Sequence, residues 1–242
     1  MYFSDHISRF ERNIRNYYGP SIKASDYKSF FELVTNIMKN LEIDTHAKWR
    51  SDNKESYFRV TLMATSDSFK IDDSIKLYGQ LYVSDAPKLA RDRKCALLLR
   101  KLPIMNFGKV GEYTGQLNDL KNKTAHSYDD IIYIDDANNI LEATTSNIIV
   151  INLFKKTFAT SLDNTHLYEG VIIKKVKSSL AIQGFEFDSS LINLSKIDQN
   201  CVVLMSNSVN LLSQAFFDHI NFDSKPDFVN LQNQKILELS EE

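Results

Sequence analysis

Short apolar runs separated by turn-forming residues fill the second half of the chain, and they restrict the fold more than any other feature. Residues 130–134 and the apolar segments that end at Ile151 are rich in isoleucine, and an Asp-Ala-Asn-Asn turn signal lies between them. Helical spacing of apolar residues alternates with these runs. The predicted strands are 130–134, those ending at Ile151, 157–160, one around Phe185, 201–205 and 211–217, and the predicted helices are 114–126, 170–182 and 227–239.

The first half combines two helical patterns with three strand-like runs. Apolar residues recur every three or four positions in residues 5–18 and 26–41, and strand-like runs follow at 57–64, 75–83 and 94–102. This order predicts two helices packed on an antiparallel sheet. Residues 102–108, with Pro103 and Gly108 near their ends, are a predicted interdomain connection. The fold class is therefore predicted as α+β with two domains, residues 1–104 and residues 105–242.

Composition excludes several classes of function. The 29 basic and 31 acidic residues leave a net charge of -2, which gives no electrostatic attraction to nucleic acid or to an anionic membrane. The first ten residues contain charges and no apolar core segment, so a signal peptide is not expected, and no apolar run reaches the length of a membrane span. Cys95 and Cys201 lie in separate apolar runs, and the five histidines lack metal-ligand spacing. We therefore expect a cytoplasmic protein without a metal.

An ordered set of motifs carries the chemistry. The segment FGKVGEY at residues 107–113 opens a predicted helix, and EATTSN at 142–147 begins 33 residues after Lys109. Thr160 comes next, followed by LYEGVI at 167–172, which opens the next helix, and DHISRF occupies residues 5–10. The order and spacing of these motifs resemble the class IV aminotransferases, which are pyridoxal 5′-phosphate enzymes of fold type IV. The resemblance covers essentially the whole chain.

The resemblance implies the fold and the reactive lysine. The fold would be a small α/β domain and a larger domain with a β-barrel-like core, without the usual N-terminal strands. Lys109 would form the Schiff base with the cofactor and then exchange protons at the substrate α-carbon, which requires a neutral amine with a lowered pKa. Glu142 would pair with the pyridine nitrogen and keep it protonated, and Tyr113 would contact the 3′-oxygen.

The phosphate would be bound at the start of the helix predicted at 170–182. The backbone N–H groups of Val171 and Ile172 would face it, because a helix N-terminus attracts anions. Arg9 would add a forked, charge-assisted contact. Further hydroxyl donors are expected near the cofactor, and these are Thr144, Thr145, Ser146 and Ser208, with Ser206 beside the last of them.

The chain departs from the family pattern in three places. It begins almost at the His-x-x-Arg helix, so strands that line the substrate pocket of relatives are expected to be missing. Ile172 stands where relatives carry a phosphate-binding threonine. The substitution would remove one hydroxyl donor to the phosphate, at a cost of about 1 kcal/mol in binding free energy. Ile173 and Ser161 replace the usual arginine and proline. The sequence therefore predicts cofactor binding more firmly than turnover.

Other interpretations stay open at this point. Glu142 could be an ordinary surface carboxylate, the segment 144–146 a plain polar turn, and Arg9 a helix-surface residue, while His6 is expected to be structural. The leading hypothesis is transamination between an amino acid and a 2-oxo acid, with Tyr113 favouring the branched-chain type. A 4-amino-4-deoxychorismate lyase uses the same lysine and glutamate, a D-amino-acid transaminase is the next candidate, and a cofactor-binding homologue without turnover is the rival from another class. The resemblance implies a homodimer.

Overall fold

The structure is a computed structural model. It describes residues 5, 8–12, 15, 32–33, 36, 56–65, 76–85, 92–100, 112–124, 127–161, 170–207, 211–218, 220 and 223–239. The chain divides into two compact units, residues 2–87 and residues 88–242. The predicted connection at 102–108 lies outside the described residues.

The unit of residues 2–87 contains a two-stranded antiparallel sheet. Strand β1 (Ser56–Thr65) pairs with β2 (Lys76–Asp85) in a continuous register that runs from Ser56 opposite Asp85 to Thr65 opposite Lys76. Residues 5, 8–12 and 15 are helical, as are residues 32–33 and 36. These described positions agree with the two predicted helices and with the first two predicted strands.

The unit of residues 88–242 is built on an eight-stranded mixed sheet. The strands are β3 (Arg93–Leu99), β4 (Asp130–Ile134), β5 (Ile140–Ala143), β6 (Asn147–Asn152), β7 (Thr157–Thr160), β8 (Glu186–Phe187), β9 (Cys201–Asn207) and β10 (Leu211–Phe216). Their order is β5-β4-β3-β10-β9-β6-β7-β8. The helices are α1 (Glu112–Thr124), α2 (Val171–Ile182) and α3 (Pro226–Glu238), and a 3-10 turn spans Leu194–Lys196.

Strand β3 corrects the expectation for the first half of the chain. The sequence placed it in one antiparallel sheet with β1 and β2, but it pairs in parallel with β4 on one side and with β10 on the other. Its central apolar run, CALLL, suits a strand flanked on both sides in a parallel arrangement. The domain boundary predicted after residue 104 stays a prediction.

A single apolar cluster fills the concave side of the eight-stranded sheet. Side chains from six strands meet there because alternate residues of a strand point to the same face. The cluster consists of Cys95, Ile132, Ile140, Ala143, Ile148, Val150, Ile192, Ile197, Cys201, Val203, Met205, Ala215 and Phe217. Strands so far apart in the sheet can share one cluster only if the sheet curls around it, which gives the expected β-barrel-like core. Both cysteines are buried free thiols in this core.

Helix α1 covers the opposite face at the β3-β4-β5 end. Ala96, Ile131, Tyr133 and Leu141 form a second cluster there, against which Leu120 of α1 packs. A bulge interrupts the β4–β5 ladder, so Tyr133 pairs with Glu142 and Ile134 with Ile140. The extra residue leaves Leu141 on the α1 side, next to Glu142.

Helices α2 and α3 pack together beside β9 and β10. Buried residues of α2 recur at helical spacing from Val171 to Leu180, and α3 begins with Pro226 in its first turn. The side-chain amides of Gln183 and Gln232 exchange two hydrogen bonds of 2.9 Å between the helices. Among the described residues, no helix is long and apolar enough to span a bilayer.

Candidate active site

The Glu142 carboxylate accepts two side-chain hydrogen bonds at this end of the sheet. Arg100, directly after β3, donates from Nη1 to Glu142 Oε1 at 2.9 Å. Gln116 of α1 donates from Nε2 to the same oxygen at 2.9 Å. The Glu142 side chain is 12% exposed, and a carboxylate so buried needs compensating donors. The reading of Glu142 as an ordinary surface residue is therefore wrong.

Tyr133 packs against the Arg100 side chain of this ion pair. It is the cross-strand partner of Glu142, and the Arg100 guanidinium lies 5.1 Å from the centre of its ring. The phenol hydroxyl donates to Asp119 of α1 at 3.2 Å. Burial raises the pKa of Tyr133 to about 12. The phenol therefore stays protonated at neutral pH and positions Arg100 rather than moving protons.

The loop from Thr144 to Ser146 joins Glu142 to β6. The Ala143 amide donates to the Ser146 carbonyl at 3.0 Å, which closes a tight turn. Thr144 and Ser146 are buried and Thr145 is half-buried. Asn207 of β9 donates from Nδ2 to Ser146 Oγ at 2.9 Å. The segment is therefore a buried hydroxyl-bearing turn, and not an exposed polar one.

Asp130 holds this loop from the start of β4. It is fully buried, and its carboxylate accepts from Thr145 Oγ1 and from the Ile131 amide, both at 2.8 Å. Arg93 lies 3.5 Å away as its cation. Burial raises the pKa of Asp130, and these donors partly oppose the rise. Asp130 thus positions Thr145.

Asn147 connects the hydroxyl loop to the start of α2. Its Oδ1 accepts from the Gly170 amide at 2.8 Å. A Cβ atom on Gly170 would lie 2.2 Å from that oxygen, so this contact requires glycine. Among the residues that the structure describes, no side chain caps α2, and the first turn of this helix has no acidic residue. The first N–H groups of α2 have no intrahelical acceptor and form the positive end of the helix dipole.

The predicted site residues fall into two groups. The structure brings Glu142, the loop 144–146 and the buried residues Val171 and Ile172 into one connected region. Lys109, Ser208 and His6 lie outside the described residues, as does the side chain of Tyr113, although that residue belongs to α1. Arg9 is helical and half-buried in the unit of residues 2–87. The roles given to these five residues stay predictions, and so do the roles given to the residues of the connected region.

Three residues that contact the site were missed from the sequence. In the sequence, Arg100 is a charged residue directly after one apolar run, and Asp130 is a charged residue at the start of another. Neither position indicates which residue the side chain contacts. Gln116 has no local signal at all. All three act through contacts with residues at least 15 positions away.

The comparison with protein families decides the classification. A model of the class IV amino-transferases matches residues 1–215. The chain belongs to the class IV aminotransferase family. No curated protein sequence matches it.

The fold of this chain is similar to that of several solved structures of transaminases and related enzymes. A hypothetical aminotransferase from Mycobacterium tuberculosis, in its PLP-bound form, has a TM-score of 0.69 at 14% identity, over 98% of this chain and 84% of that one. A protein assigned as a 4-amino-4-deoxychorismate lyase from Legionella pneumophila has a TM-score of 0.65 at 16% identity, over 96% and 85%. A fold IV-transaminase from Curtobacterium pusillum has a TM-score of 0.61 at 14% identity, over 76% of this chain and 64% of that one. The predicted fold class is confirmed.

Pyridoxal 5′-phosphate is the cofactor of this family, and the described residues fit it. A buried carboxylate with fixed donors suits a ring nitrogen that carries a proton. An uncapped helix N-terminus suits a phosphate dianion. Ser206, close to that helix start, has a buried hydroxyl without a hydrogen-bond partner among the described residues. A cofactor that carries both a protonated ring nitrogen and a phosphate would complement these three features.

Proposed function

We propose that this class IV aminotransferase binds pyridoxal 5′-phosphate through Lys109 and transfers an amino group between an amino acid and a 2-oxo acid. One observation carries the proposal. The described residues on both sides of Lys109, Arg100 before it and Gln116 after it, hydrogen-bond to the same oxygen of Glu142. The chain segment that contains Lys109 is therefore anchored at both ends to the carboxylate that would face the cofactor ring.

Glu142 would hold a proton on the ring nitrogen. The bound cofactor supplies an electron sink for the bond that breaks at the substrate α-carbon. The carboxylate has to stay ionised for this purpose, and Arg100 and Gln116 favour the charged form by donating to it. Arg100 also adds a positive charge to the pair, which moderates the attraction of Glu142 for the ring proton.

Lys109 would move the substrate proton. A lysine acts as nucleophile and base only when it is neutral, and a site shielded from water lowers its pKa. The Arg100–Glu142 ion pair supports a site shielded from water, because its two side chains are only 17% and 12% exposed. Tyr113, four residues later, would hydrogen-bond the 3′-oxygen.

The phosphate would be bound at the start of α2. The amides of Val171 and Ile172 would donate to it, and Arg9 and Ser208 would add side-chain donors, while Thr144, Thr145 and Ser146 would lie along the ring. Support comes from the Asn147–Gly170 contact, which ties the hydroxyl loop to this helix start. We further propose a cytoplasmic homodimer, on the family resemblance alone.

Spectroscopy of the purified protein tests the proposal. Wild-type protein incubated with pyridoxal phosphate should gain a visible absorption band that Lys109→Ala abolishes. Lys101→Ala is the matched control, since it removes a lysine of the same segment and should leave the band unchanged. A wild-type protein that takes up no cofactor would refute the proposal.

A substrate panel then distinguishes the reactions. Loss of the visible band with L- or D-amino acids, and its return with 2-oxo acids, is the expected result for a transaminase. Release of pyruvate from 4-amino-4-deoxychorismate without amino transfer would instead identify a lyase. A stable band that no substrate changes would mean binding without turnover. Light scattering at several protein concentrations measures the oligomeric state.

A further inference from the structure

We propose that the Ser206 hydroxyl is a direct ligand of the cofactor phosphate at the start of α2. The assignment rests on the proposed function, because it takes the anion at this helix to be the phosphate of pyridoxal 5′-phosphate. The first turn of α2 offers only the apolar side chains of Val171, Ile172 and Ile173. A hydroxyl donor for the phosphate must therefore come from a neighbouring element.

The burial of Ser206 is the first observation. The residue is 2% exposed, and its Oγ atom has no hydrogen-bond partner among the described residues. Removing a hydroxyl from water without a new hydrogen bond costs stability, and such groups are rare in folded proteins. A bound acceptor would explain why a serine occupies this position.

The sheet register fixes where the hydroxyl lies. Ser206 of β9 is directly opposite Asn147 of β6, and residues opposite each other in a ladder point to the same face with Cβ atoms about 5 Å apart. The Asn147 side chain on that face contacts the Gly170 amide. Met205, the preceding residue, points the other way into the interior cluster. Ser206 therefore lies on the face from which α2 begins, one strand away from the helix start.

The chemistry of the two features is complementary. The first amides of α2 provide donors and the positive end of a helix dipole for an anion. A hydroxyl that donates to a phosphate oxygen forms a charge-assisted bond, which is stronger than a bond between neutral groups. We expect loss of this bond to weaken phosphate binding about tenfold, which corresponds to about 1.4 kcal/mol.

Binding of two forms of the cofactor tests the assignment. Wild-type apoprotein, Ser206→Ala and Ser213→Ala are titrated with pyridoxal 5′-phosphate and with pyridoxal, which lacks the phosphate, while the visible absorption is followed. Ser206→Ala should raise the Kd for pyridoxal phosphate about tenfold and leave the Kd for pyridoxal unchanged. Ser213 is also buried, but it pairs with Met205 and therefore points to the other face of the sheet. Ser213→Ala is the control variant, and we expect it to leave the Kd for both ligands unchanged.

The stability of the apoprotein provides a second measurement. An unpartnered hydroxyl adds nothing to the fold, so Ser206→Ala should unfold at the same or a higher urea concentration than wild type. A less stable variant, an unchanged Kd for pyridoxal phosphate, or an equal loss of affinity for both ligands would each overturn the assignment while leaving the proposed function intact. Failure of the wild-type protein to bind pyridoxal phosphate would overturn the proposed function and this assignment with it.

Discussion

Replacing Arg100 by methionine should destabilise the apoprotein by about 2–3 kcal/mol. The Arg100 Nη1 and Glu142 Oε1 atoms are 2.9 Å apart, and the two side chains are 17% and 12% exposed. At an effective dielectric constant near 20, a charge pair at about 4 Å gains about 4 kcal/mol, and removing one member of a fully buried pair costs about 3–5 kcal/mol. The partial exposure and the remaining Gln116 bond reduce that cost. Methionine keeps the apolar stem, so the change isolates the charge.

A double-mutant cycle measures the interaction itself. Urea unfolding of wild type, Arg100→Met, Glu142→Gln and the double variant should give a coupling energy of about 2 kcal/mol. Lys94 and Asp218 form the control pair, because their atoms are also 2.9 Å apart but their side chains are 49% and 35% exposed. Lys94→Met should cost less than about 1 kcal/mol. A coupling energy below about 0.5 kcal/mol between Arg100 and Glu142 would refute the reasoning.

Three further comparisons by urea unfolding test other parts of the unit. Burial holds the pKa of Asp130 in the folded state above 3.8, so its stabilising contribution is present at low pH and is lost as the pH rises through the raised pKa. Asp130→Asn should therefore gain stability relative to wild type as the pH increases. A stability difference between the two proteins that does not change with pH would contradict this. Gly170→Ala should lower the free energy of unfolding by about 1–3 kcal/mol, because the new Cβ would lie 2.2 Å from Asn147 Oδ1. Gly115→Ala is the control and should raise it by about 0.5–1 kcal/mol, because no atom lies within 4 Å of the new Cβ. Equal effects of the two substitutions would argue against the close contact at Gly170. Leu204→Ala, at a fully buried position of β9, should cost about 2–5 kcal/mol, and a loss below about 1 kcal/mol would show that the sheet centre can collapse around the cavity.

Local pattern predicts most of the elements of the second unit. The strands Asp130–Ile134 and Thr157–Thr160 have the predicted bounds, and α2 begins one residue after the predicted start. These segments are bounded by turn residues, and their apolar periodicity reflects which faces are buried. The partner of β3 could not be predicted in the same way. Its apolar run is compatible with either sheet, and the choice depends on hydrogen bonds to β4 and β10, which are far away in sequence.

The candidate site shows the same division between local and long-range information. The spacing of motifs identifies Glu142, the hydroxyl loop and the start of α2, because each is a short contiguous segment. It does not identify Arg100, Gln116 or Asp130, whose roles depend on which elements the sheet brings together. The β4–β5 bulge is equally invisible in the sequence, although it determines which residues accompany Glu142 on the α1 face.

Arg100 and Ser206 should affect stability and binding in opposite ways, and this difference separates structural from functional roles at the site. Arg100 has a partner in the apoprotein, so its loss should destabilise the fold whether or not a cofactor binds. Ser206 has none among the described residues, so its loss should spare the fold and weaken binding only when a phosphate is present. A buried hydroxyl that lowers the stability of the apoprotein is retained for what it binds. The sign of each effect on the apoprotein therefore tells whether a buried polar residue supports the fold or awaits a ligand.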